Sequence, residues 1–192
     1  MSAATTATID DVIERVEALL PEIAERALQT ERDRRIPQET IDEIQAAKLN
    51  RILHPTRYGG LGLDYDAYFE VVWRLPSACG STGWVYAVSS VHHWQVGLAP
   101  ERVQEEYLAD GDVWSCSAFD PRGARVEPAD GGWRVSGRWQ YSSGCLHADW
   151  GRLARSSRSS RLPSCCWCRD RTSRSRTRST CRASARQRAT TS

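Results

Sequence analysis

The chain has 192 residues, 40% of them hydrophobic, which allows one domain or one and a half. Its formal net charge of +2 hides a division: residues 1–150 set 14 Lys and Arg against 23 Asp and Glu for a net −9, whereas residues 151–192 set 12 Arg against Asp170 alone for a net +11. No apolar run approaches the ~20 residues of a membrane helix, and no basic and apolar leader opens the chain, so a cytoplasmic protein without a membrane partner is expected.

Ile9 to Gln29 carries apolar residues at helical spacing, with Val12, Val16, Leu19, Leu20, Ile23 and Ala24 on one face, and Pro21 is expected to kink or divide it. Thr30 to Arg35 reads as a polar connection. Pro37 suits the first turn of a second helix with Ile41, Ile44 and Leu49 inward. Arg51 to Pro55 reads as short and extended, and Tyr58-Gly-Gly-Leu-Gly as a turn whose glycines permit positive φ. Asp64 is placed to cap a third helix through Tyr68, Phe69, Val72 and Leu75, closed by Pro76. Gly80-Ser-Thr-Gly reads as a tight corner before a long apolar helix from Trp84 to Leu98, and Pro100 opens a short acidic helix over Glu101 to Leu108.

Then the period changes. Val113-Trp-Ser-Cys-Ser-Ala alternates as a strand, Asp120-Pro-Arg-Gly and Asp130-Gly-Gly are turn chemistry, and Gly132 to Ser143 supplies further strands. Helices followed by strands predict an α+β fold: a helical domain over 1–110, the start of an antiparallel β domain over 111–150, and a basic tail over 151–192. Gly137-Arg-Trp-Gln-Tyr-Ser-Ser-Gly-Cys-Leu-His-Ala-Asp-Trp150 stands out: a strand ends in two adjacent hydroxyls and a glycine, an edge able to lay a flat ring against polar donors.

Residues 151–192 hold ten serines and four cysteines beside the arginines, with no alternation and no helical period, so a disordered segment without a packed core is expected. Three readings compete: a basic arm for nucleic acid, a low-complexity interaction tail, and the product of a shifted reading frame. The genetic code favours the third. Taking each codon from the last base of one residue and the first two of the next, Cys166, Trp167 and Cys168 become Leu, Leu and Val whatever synonymous codons are used. Cys165 becomes Leu, Val or Met, and Arg169 most readily Pro. An apolar strand thus lies beneath the tail. Cys165, Cys166 and Cys168 lack partners at metal-ligand spacing, so no metal site is expected, and Cys79, Cys116 and Cys145 read as reduced thiols.

Four stretches carry a resemblance: Pro55-Thr-Arg-Tyr-Gly-Gly-Leu-Gly, Cys79-Gly-Ser-Thr-Gly-Trp, Val91-His-His-Trp and Trp139-Gln-Tyr-Ser-Ser-Gly-Cys-Leu-His-Ala-Asp-Trp. Through them residues 1–150 resemble the N-terminal part of the acyl-CoA dehydrogenase superfamily, in particular its flavin-dependent aromatic hydroxylase branch. The resemblance implies a helical domain, a central β-barrel and a C-terminal helical domain, of which this chain would hold the first and half of the second. It implies an oxygenase component that takes reduced flavin (FMN or FAD) from a separate reductase and, with O2, hydroxylates a phenolic, steroid-derived or related substrate. Full-length relatives would be homotetramers, and the present chain would be inactive by itself.

The same resemblance implies site residues. Ser142 and Ser143 would contact the flavin ring, the plainer alternative being a serine pair that ends a strand by local backbone bonding. Ser117 would lie on the flavin side and Ser115 would be structural. Trp139 would wall the flavin or simply fill the core. His92 would be the catalytic, substrate-side residue that shares the phenolic proton, although a lone histidine on an apolar helix is more often a core residue. Trp84 would line the substrate pocket, while His93 faces elsewhere and His147 is structural. The competing readings are an acyl-CoA dehydrogenase-like flavoprotein and a non-enzymatic α+β module with a nucleic-acid-binding tail.

Overall fold

The computed structural model describes residues 7–109, 111–119, 121–129, 132–139, 141–154, 165–169 and 181–183. The chain divides into two compact units, Met1–Trp114 and Ser115–Ser192.

The first unit is helical. Helix α1 (Ile9–Glu25) opens on a capping box in which Thr8 and Asp11 satisfy each other's backbone N–H groups. It buries Val12, Val16 and Ile23, a single stripe at helical spacing. Pro21 is held inside α1, and the division falls at Arg26 instead. A new helix, α2 (Ala27–Asp33), follows and takes in Thr30 to Asp33 of the expected polar connection, ending where Arg34 adopts a left-handed φ of 50°. Arg26 explains the corner: its guanidinium reaches across to α3 (Gln38–Ala46), donating to both Glu43 carboxylate oxygens at 2.7 and 2.6 Å and to Thr40 Oγ1 at 2.9 Å. A fork-to-fork bond of that kind fixes direction as well as distance.

Pro37 sits just ahead of α3 and Ile41 and Ile44 are buried, as expected. The piece expected as extended is instead a 3-10 turn, Leu49–Arg51, followed by bends. After a second 3-10 turn, Thr56–Tyr58, come α4 (Tyr65–Ala78), α5 (Gly80–Gly97) and α6 (Glu101–Leu108). Asp64 precedes α4 in extended backbone, but its side chain makes no capping bond. Pro76 lies within α4, and α5 starts at Gly80 rather than at Trp84. The core gathers α1, α3, the first 3-10 turn, α4 and α5 around Val16, Ile44, Leu49, Val71, Leu75 and Tyr86.

The second unit contains β1 (Ser115–Ala118), β2 (Pro121–Ala129), β3 (Gly132–Trp139), β4 (Trp150–Ala154), β5 (Cys165–Arg169) and β6 (Cys181–Ala183). Among the described residues they form two three-stranded sheets, β1-β4-β5 and β2-β3-β6. The sheet is not purely antiparallel as expected, because β1 and β4 run parallel with Ser115 beside Trp150. The β2-β3 hairpin and the loop after it supply the long crossover that a parallel pair requires. Asp120 and the Asp130-Gly131 part of the expected turns lie outside the described residues, while Pro121 opens β2, whose register shifts between Arg122 and Arg125. Within the segment expected to lack packed structure, residues 151–154, 165–169 and 181–183 have strand backbone. The strand at 165–169 coincides with the apolar stretch of Cys and Trp; the rest of that segment lies outside the described residues.

Candidate functional site

Helix α5 carries His92, His93 and Trp84. Its apolar residues are spread around its circumference, and Thr82, Ser89, Ser90, His92 and His93 are all buried, so polar groups enter the core. His92 is 2% exposed, fitting an interior imidazole, whereas Trp84 is 61% exposed. Eight residues separate them, about 12 Å along a helix axis, so the structure does not gather them into one pocket wall. Trp94 on the same helix is also exposed.

The other candidates belong to the second unit. Strand β3 stops at Trp139, so the serine pair is not on a strand edge as expected. It sits in a turn: Tyr141 has a left-handed φ of 59°, Gly144 one of 79°, and Ser142 and Ser143 lie between them. Cys145 N–H donates to the Ser142 carbonyl at 3.2 Å and His147 N–H to the Gly144 carbonyl at 3.0 Å, which winds the turn tightly. A tyrosine with positive φ is strained, and such strain persists only where the surroundings impose it.

Trp139 has a definite task. Its indole Nε1–H donates to the Ala154 carbonyl on β4 at 2.7 Å, so it closes the loop that bears the serines. That bond favours the structural alternative for its edge and leaves its ring face as the part that could meet a ligand. The loop's far end is Trp150, paired with Ser115, so Ser117 lies two residues further along the neighbouring strand, opposite Arg152. Ser117 thus lies in the β1-β4-β5 sheet and Trp139 in the β2-β3-β6 sheet, and the Trp139 indole bond to β4 ties the serine-bearing loop to the first of them.

One atom separates a site from a plain turn. Ser142 Oγ is buried and has no hydrogen-bond partner in the protein. A hydroxyl ending a strand for structural reasons would bond to local backbone; this one is left over, and a buried polar atom of that kind is costly unless something outside the chain pairs with it. A flat heteroaromatic ring with nitrogen and carbonyl edges supplies such a partner. The donor set thus fits a flavin: one unpartnered hydroxyl, a second hydroxyl beside it and an indole face. Among the described residues no group of three or more His, Cys, Asp or Glu could hold a metal ion, and no helix is long and apolar enough to cross a membrane. Cys79, Cys116 and Cys145 form no disulfide.

Sequence reasoning missed Tyr141, whose left-handed backbone has no signal in residue type, and the buried partners of His93.

Comparison with known proteins identifies the family. Residues 7–110 match the acyl-CoA dehydrogenase N-terminal domain family. The oxygenase subunit HsaA of a flavin-dependent monooxygenase from Rhodococcus jostii is 41% identical over 142 residues, 73% of this chain and 37% of that protein. The crystal structure of 3-HSA hydroxylase from Rhodococcus sp. RHA1 superposes with a TM-score of 0.73 at 35% identity, covering 82% of this chain and 41% of the other. XiaF from Streptomyces sp., solved with FADH2 and glycerol, superposes with a TM-score of 0.71 at 29% identity, covering 76% and 37%. The chain spans about a third of the length of the curated relatives it matches.

Proposed function

Because the chain belongs to the acyl-CoA dehydrogenase family, with residues 7–110 forming its N-terminal domain, we propose that it is the leading part of the oxygenase component of a two-component flavin-dependent monooxygenase. The reaction is hydroxylation of a phenolic, steroid-derived or related aromatic substrate, using O2 and a reduced flavin, FMN or FAD, delivered by a separate reductase. The observation that carries this reading is the buried, unpartnered Ser142 Oγ in its strained turn.

Bound reduced flavin supplies the electrons that let O2 react with the substrate. The chain's own residues hold and shield. Ser142 would hold the flavin by donating its hydroxyl proton, with Ser143 beside it. The Trp139 ring face and Ser117 on β1 would border the bound flavin. His92, an interior imidazole, accepts or shares the phenolic proton, with a wall of the helical unit around it to keep water out. Trp84 contributes to substrate binding only if its exposed face is covered in the longer protein, where the homotetramer also belongs.

Residues 151–192 are the product of a shifted reading frame in this reading. Resequencing the gene across the Trp150 codon tests both parts. A single-base correction should continue the frame for a few hundred codons, and the corrected protein should bind reduced flavin and hydroxylate phenols. In it, Ser142→Ala should weaken flavin binding about tenfold, as loss of one buried hydrogen bond does. His92→Ala should lower turnover on phenols while flavin binding holds. A corrected protein that binds no reduced flavin, or binds it unchanged after Ser142→Ala, would sink the proposal.

A further inference from the structure

We propose that Asn50, His54 and His93 enclose an internal water-binding site in the helical unit, and that this site makes the unit acid-labile. The inference is independent of the flavin reading.

Asn50 lies in the 3-10 turn Leu49–Arg51, His54 follows it, and His93 comes from α5. None of the three is more than 1% exposed. The two imidazole centroids are 5.2 Å apart, tilted by 40°. His93 Nε2 lies 3.3 Å from the Val113 carbonyl oxygen, which makes it the donor of a neutral ring and leaves Nδ1 as an acceptor. The Asn50 backbone approaches that ring without closing a bond to Nδ1. His93 Nδ1, both ring nitrogens of His54 and both amide atoms of Asn50 have no hydrogen-bond partner in the protein.

Orphaned nitrogens on two imidazoles whose centroids are 5.2 Å apart describe a ligand. It must both donate and accept, since His93 Nδ1 is an acceptor and a neutral His54 ring carries one donor and one acceptor. It must also be small, because the surroundings are packed: His54 O accepts from Gly62 N–H at 3.0 Å, the Tyr58 ring is 6.4 Å from His54, and the Tyr107 ring is 5.8 Å from His93. A cation is disfavoured by the Arg51 guanidinium, itself paired with Asp112 at 2.6 Å. Water meets every condition, and buried waters commonly bond about three such groups.

The site holds only while both rings are neutral. Burial, helped by His93 and Arg51, pulls His54 down to about 3. Burial pulls His93 to about 4, outweighing the carbonyls of Val113 and Asn50 that favour its proton. In the unfolded chain both rings titrate near 6.5. The unfolded state therefore binds up to two more protons below that pH. Stability is complete above pH ~6.5, falls as pH drops from there to about 4 for the His93 share and about 3 for the His54 share, and levels off below.

Denaturant unfolding of the 192-residue chain between pH 7 and pH 4 reads this directly. The two rings together should raise the unfolding constant by up to about 100-fold per pH unit in the middle of the window, and His54→Gln should cut their share to about tenfold. An unchanged pH dependence in the variant overturns the proposal. Nitrogen NMR of the parent chain at pH 5.5 reads the water itself, and decides alone if His54→Gln does not fold: neutral rings receiving magnetisation from long-lived water support the site. Charged rings, or neutral rings with no water transfer, overturn it.

Discussion

Gly60 shows how a single atom can hold a loop. A Cβ there would fall 1.9 Å from the His54 carbonyl oxygen and 2.3 Å from its carbon, both rigid backbone. Gly60→Ala should therefore displace the whole turn that packs on His54, at a cost of about 3 kcal/mol or more, seen as a lower urea midpoint. Tyr141 gives the opposite case. Its φ of 59° costs a tyrosine about 1–3 kcal/mol, so Tyr141→Gly should not lower stability, whereas the stiff branched side chain of Tyr141→Val should. Equal effects from the two would remove the strain argument for the serine turn. At this scale the sequence was partly legible. The glycine-rich turn after Tyr58 declared itself, and Gly59 and Gly62 do take positive φ. Gly60 did not, because its requirement is a close approach rather than a dihedral angle. Nor did the orphaned Ser142 Oγ or the His54–His93 contact, since each depends on what lies nearby in space, which residue type cannot report.

At the level of elements, spacing predicted most of the helical unit, and α1, α3, α4 and α6 lie close to where their apolar periods place them. The errors share a cause: glycine and proline were read as punctuation when packing had recruited them. Gly80-Ser-Thr-Gly looked like a corner, yet it is the first turn of α5, and Gly83 is there because a Cβ would meet the Pro76 ring at 2.4 Å. Pro76 and Gly83 are thus a matched contact between α4 and α5. Gly83→Ala should separate the two helices and cost roughly 2 kcal/mol, within the range of overpacking in a filled core. Gly80→Ala, where nothing lies within 4 Å, should be neutral or slightly stabilising because alanine favours helix. Thermal unfolding of the two variants side by side checks this; equal midpoints would show that the contact is not tight. Strand order was the least legible feature, because a parallel pair joins β1 to β4 across an intervening hairpin and no local pattern marks that return.

The whole chain is electrically divided in its sequence: residues 1–150 sum to −9 and residues 151–192 to +11. A net charge of +2 gives little mutual repulsion between molecules, and low net charge favours association. Each copy also offers an arginine-rich segment that complements the acidic portion of another. At low ionic strength the Debye length is about 30 Å at 0.01 M, so these opposed charges attract across a molecular diameter; at 1 M it is about 3 Å. The chain should therefore self-associate in dilute buffer and disperse as salt is added, an effect that sedimentation velocity at several salt concentrations would quantify. Replacing Arg171, Arg174, Arg176 and Arg178 by glutamine leaves the described strands in place and should weaken the association in dilute buffer. If instead the full chain associates more strongly as salt rises, apolar surface drives it, and the exposed indoles of Trp73, at 83%, and Trp84, at 61%, become the residues to replace. The sign of the salt dependence separates the two forces without any further assumption about the fold.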